Sequence, residues 1–104
     1  MTIINQSQYD TPKTNYFSTT DTSFVSGDSP VTFNINSTLL RNGIDGHIIN
    51  DGLGNIQINI SEDGNTFLND IILKKNEIFN LRALSIHSIK FTWIADSAYR
   101  LFVV

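Results

Sequence analysis

Two histidines, His47 and His87, are the only imidazoles available for acid–base or nucleophilic chemistry. That chemistry needs a Ser or Thr hydroxyl beside a histidine which a third group orients. No Gly-x-Ser-x-Gly elbow is present; His47 follows a turn, and His87 stands between Ile86 and Ser88 in an apolar run. Both read as strand or surface residues. Most of the ten carboxylates sit at turn positions, where Asp serves backbone geometry. Glu62-Asp63 is the adjacent pair, and neighbours along a strand point to opposite faces, so two-carboxylate glycoside hydrolysis has no basis. Oxygen ligands for a hard cation are better grouped: Asn42, Asp45, Asn50 and Asp51 lie close together among Gly43, Gly46 and Gly52. Their order does not follow the EF-hand pattern, and turn chemistry accounts for them without a metal. The expectation is a protein that is not an enzyme, with no metal and no cofactor.

Aromatic side chains are the remaining candidates. Trp93, Tyr99, Tyr16 and Tyr9 could stack on a sugar, as in carbohydrate-binding modules. Trp93 alternates in phase with Ile89 and Phe91, however, which places it in the core.

The elements that would position these residues are strands. Beyond Gly27 the chain is rich in β-branched and aromatic residues, with turn residues recurring about every 8 to 12 positions, the spacing of a sandwich or barrel. Ile56–Ser61 alternates strictly, and Val31–Asn36 repeats the pattern. Each implies a strand with one buried and one wet face. His47-Ile48-Ile49, Thr66–Leu68, Asp70–Leu73, Glu77–Leu81 and a strand through Ile89, Phe91 and Trp93 follow, separated by Asn-Gly, Asp-Gly and Lys-Lys-Asn turns. Thr38–Arg41 is the one short helix candidate. The predicted fold is all-β: a single small antiparallel β-sandwich of jelly-roll type over residues 29–104, preceded by an extended polar N-terminal arm over residues 1–28.

The last strand differs from the others. Tyr99, Leu101 and Val103 form one face, while Ala98, Arg100, Phe102 and Val104 form a second face that is also largely apolar. It could be covered by another chain or by the arm of the same chain. The arm adds spaced aromatics at Tyr9, Tyr16, Phe17 and Phe24. Interaction is therefore assigned to Tyr9, Tyr16, Phe17, Phe24, Arg100, Phe102 and Val104.

Size supports assembly. About 75 residues make a marginal core, and small folds usually gain stability from disulfides, metals or oligomerisation. With no cysteine in the 104 residues, oligomerisation is the route left. A formal charge of −3 with seven scattered Lys and Arg argues against nucleic acid as a partner. No apolar run approaches the length of a membrane helix, and no signal peptide is recognisable, so no membrane partner and synthesis in a host cytoplasm are expected.

Four segments, Ile60–Gly64, Ile72–Glu77 leading into Leu81, Ile86–Ile89 and Tyr99-Arg100-Leu101, resemble a pattern in small virion proteins of tailed bacteriophages. The resemblance covers less than half the chain and transfers no functional residues. It implies a structural role in the virion: a head decoration protein, or a tail, fibre or baseplate subunit. The partners it implies are copies of itself, a trimer first among homo-oligomers, and other virion proteins. A carbohydrate-binding or receptor-binding sandwich, with a glycan as partner, is the alternative.

Overall fold

A computed structural model describes residues 16–104. Among them nine strands form two antiparallel sheets packed face to face, the expected β-sandwich. The strands are β1 (Phe17–Ser18), β2 (Thr22–Phe24), β3 (Val31–Asn34), β4 (Gly46–Asn50), β5 (Ile56–Ser61), β6 (Ile71–Leu73), β7 (Ile78–Asn80), β8 (Ser88–Trp93) and β9 (Ser97–Val103). One sheet runs β1-β9-β4-β7, with β2 paired to β9 beyond the end of β1; the other runs β3-β8-β5-β6.

The pairing is nested. Counting β1 and β2 as one interrupted strand, β9 returns to the first strand, β8 to β3, β7 to β4 and β6 to β5. This is one long antiparallel hairpin with its tip at β5–β6, rolled so that successive pairs fall alternately in the two sheets. That arrangement is a jelly roll.

The inward alternation builds the core. Ile56, Ile58 and Ile60 of β5 lie beside Ile89 and Phe91 of β8 on the inner face of one sheet, and Tyr99, Leu101 and Val103 of β9 come from the opposite sheet. Aromatic rings concentrate at one end, where Phe24, Phe33, Phe91 and Tyr99 meet mostly edge to face. Such pairs add to the free energy of burial alone.

Three expectations need correction. Residues 17–24 are not an arm: β1 and β2 complete the sheet along β9, and Phe24 is only 1% exposed in the core. The strand expected through Asn36 stops at Asn34, whose side-chain oxygen accepts a hydrogen bond from the Ser37 N–H and caps a short helix, α1 (Ile35–Leu39). Ile35 and Leu39, one turn apart, both point into the core. Finally, the outer face of β5 is not wet throughout. Asn59 and Ser61 are buried beneath the 62–70 loop, where the Asn59 amide donates to the Leu68 carbonyl and to Asp70.

Candidate interaction surface

The outward residues of β9 and its neighbours build an apolar face on the larger sheet. Phe102 points outward, opposite inward Leu101 and Val103, and its ring stacks between two others. Tyr16 lies 5.8 Å away at an interplanar angle of 27°. His47, its register partner on β4, lies 5.7 Å away at 28°. The apolar surface continues through Ile49 of β4 to its register partner Ile78 of β7, which is 63% exposed. Two open depressions flank the Phe102–His47 ridge. One of about 390 Å³ is bounded by Ile49, Ile78, Asn80 and Val104. The other, about 320 Å³, is bounded by Ser18, Thr19, Ile49 and Arg100.

The close β4–β9 approach depends on Gly46. Its φ of +138° is a conformation that L side chains rarely adopt, and a Cβ there would overlap the Phe102 carbonyl oxygen. Beyond it, the Val104 carbonyl accepts from the Ile44 and Asp45 N–H groups, holding the end of β9 against the loop before β4.

Of the residues assigned to interaction, Tyr16, Phe102 and Val104 lie on this face. Arg100 borders it but is engaged within the chain. Its guanidinium donates to both Asp51 oxygens, from Nε at 2.6 Å and from a terminal nitrogen at 3.1 Å. That hydrogen bond, with the attraction between the charges, lowers the Asp51 pKa and raises that of Arg100. Phe17 is half-buried, its ring 5.5 Å from Phe33. Phe24 is a core residue and unavailable to a partner. Tyr9 lies outside the described residues. From sequence, His47 is considered for catalysis alone and Ile49 and Ile78 are passed over, although the inward Ile48 and Phe79 put all three on the outer side by simple alternation.

Other sequence candidates resolve separately. The four oxygen ligands do not converge. Asn42 bonds Ser85, Asn36 and the Glu62 carbonyl; Asp45 accepts from Gly46 N–H; Asp51 pairs with Arg100. Asn50 is fully buried with its amide saturated: it donates to the Gly54 and Leu73 carbonyls and accepts from Gly52 N–H and the Ser97 hydroxyl. His87 Nδ1 lies 2.8 Å from Ser88 Oγ, but Ser88 is buried. Among the described residues no hydrogen bond joins a carboxylate to either histidine. Trp93 is not a core residue: it is 36% exposed at the end of β8, with its indole N–H donating to Asp96.

Compared with protein-family models, curated proteins and solved structures, the chain matches none of the three.

Proposed function

We propose that this chain is a non-enzymatic structural subunit of a bacteriophage virion, a head decoration or tail or fibre component, which assembles with copies of itself through the outer face of its larger sheet. One observation carries the reading. Tyr16, Phe102, His47, Ile49, Ile78 and Val104 form an apolar surface across β9, β4 and β7, with Tyr16 entering from just before β1, on a sheet whose other face is already packed. A contiguous exposed apolar patch on a small domain marks an interaction site more often than a chance of composition. Two further considerations agree with it. The rolled-hairpin topology is one that viral capsid and lectin domains share, an analogy of fold rather than of site. The segments resembling tailed-phage virion proteins include Tyr99-Arg100-Leu101, in the strand at the centre of this face.

Sedimentation velocity across a range of concentrations tests the proposal. The expected species is a homo-oligomer, with three times the 11.7 kDa chain mass as the leading state. Phe102→Lys should shift it to monomer with an unchanged far-ultraviolet circular dichroism spectrum, because the side chain lies outside the core. A wild-type protein that stays monomeric at every concentration would sink the proposal.

A further inference from the structure

On one side of the sandwich, the edge strands β2 and β3 of the two sheets do not close on each other. The cleft between them has a volume of about 460 Å³, within the ~300–1,000 Å³ typical of small-molecule sites. Val31, Phe33 and Tyr99 form its apolar wall; Thr19, Thr22, Ser23 and Asp28 supply the polar groups. The opening follows from the break in the first strand. β1 pairs with Phe102 and Val103, β2 pairs with Ser97–Tyr99, and Thr19 bridges the gap by exchanging hydrogen bonds with Leu101. The chain then turns through a single 3₁₀ turn at Ser26–Asp28, where one Asp28 carboxylate oxygen accepts from the Val25 N–H.

Tyr99 indicates what the cleft is for. Its ring is packed against Phe24, Phe33 and Phe91, and the residue is 3% exposed. Its hydroxyl has no hydrogen-bond partner among the described residues, so the polar end of this otherwise packed side chain is left to whatever occupies the cleft it lines. Burial, and then the charge of Asp28, raise its pKa, so it stays a neutral donor at physiological pH. The second Asp28 oxygen also has no partner among the described residues.

A ligand for this site must satisfy three demands at once. It must offer an acceptor to the Tyr99 hydroxyl, a donor to the Asp28 carboxylate and an apolar face to Val31 and Phe33. A phosphate or carboxylate group would be repelled by Asp28. An organic ammonium would suit Asp28 and the aromatic wall but would leave the Tyr99 proton without an acceptor. A sugar ring meets all three, with C–H groups on its faces and hydroxyls that both donate and accept. The geometry points to the β2–β3 cleft as a binding site for one hydroxylated sugar ring, oriented by Tyr99 and Asp28. Sugar recognition is thereby placed on residues other than exposed Trp93.

The test is an NMR titration of isotope-labelled protein with glucose, galactose, mannose, fucose and N-acetylglucosamine, with tetramethylammonium as the competing probe. At least one sugar should shift signals of Thr22, Asp28, Phe33 and Tyr99 together. Tyr99→Phe should weaken that binding about tenfold, the worth of one hydrogen bond lost from a bound complex. Its melting temperature should be equal to or higher than wild type, because the hydroxyl has no partner to lose. Asp28→Asn should weaken binding while leaving the sheet signals in place. The inference is overturned if no sugar shifts the cleft, if the shifts centre on Trp93 or the outer sheet face, or if tetramethylammonium alone binds. A large drop in stability for Tyr99→Phe would also overturn it, by revealing an internal partner. Sedimentation reads assembly and this titration reads the cleft, so either proposal can fail without the other.

Discussion

Asn50 shows how much structure one buried amide can hold. Its four hydrogen bonds tie the end of β4 to the 51–54 loop, the end of β6 and the start of β9. In the sequence it looked like one more turn residue beside Asp51-Gly52, because nothing in Asn-Asp-Gly says that the first side chain points inward. Asn50→Leu keeps the volume but takes the side-chain partner from the Leu73 carbonyl and the Gly52 N–H, while the Ser97 hydroxyl still donates to the Gly54 carbonyl; it should lower unfolding free energy by about 2–4 kcal/mol in urea titrations. Asp63 works differently, at the surface. Its carboxylate accepts from the Thr66 and Asn65 N–H groups and from the Ser61 hydroxyl, and the two backbone bonds chiefly lower its pKa. A carboxyl whose pKa is depressed on folding contributes stability above its unfolded pKa of about 3.9, and that contribution is lost as pH falls through the lower folded value. The stability difference between wild type and Asp63→Ala should therefore be constant at neutral pH and shrink below about pH 4, as pH-dependent thermal melts would show.

Strands were legible where side chains alternate and obscure where they do not. Ile56–Ser61 and Ser88–Trp93 announce themselves by period two and Ser97–Val103 by its apolar, strand-forming composition, and all three are central strands of their sheets. β1 and β2 are two and three residues long, set among Ser, Thr and Asp, and too short to show any period. Their membership in the sheet comes from the long β9 edge that they cover, a tertiary demand no local pattern reveals. The same limit hid the first turn of α1, expected only from Thr38, since Ile35-Asn36 continues the alternation of β3 although the Asn34 cap already turns the chain. Phase was the other obstacle: Ile48 inward means His47 and Ile49 outward, but only the pairing with β9 fixes which. Membership of β2 in the fold has a direct consequence. Phe24→Ala should lower unfolding free energy by about 3–5 kcal/mol, the usual range for a large buried aromatic. Tyr16→Ala, on a side chain 53% exposed, should change it by well under half of that. Equal, small effects from both substitutions would return β2 to the status of a loose arm.

Residues 16–104 form one rolled hairpin, and the roll orders its contacts by sequence separation. The tip pair β5–β6 joins residues such as Ile58 and Ile71, close in sequence. The outermost pair joins Thr22 to Tyr99 and Phe17 to Val103, spanning nearly the whole described chain. Loop-closure entropy favours forming the inner pairs first, because each inner pair shortens the loop that the next must close. The inner β5–β8 contact is also the most extensive, six register pairs from Ile56–Trp93 to Ser61–Ser88. The transition state should hold β5, β6 and β8 together while β1 and β2 remain unpaired. Ile58→Val should then slow folding with little change in the unfolding rate, whereas Phe24→Leu should mainly speed unfolding. Stopped-flow chevron plots of the two variants decide the matter. If Phe24→Leu slowed folding as much as Ile58→Val does, the roll would close from its ends inward. The β2–β3 edge would then be a founding part of the fold. If the expected order holds, that edge is the last to form and the first to open, and the cleft beside Tyr99 lies in the least constrained part of the sandwich.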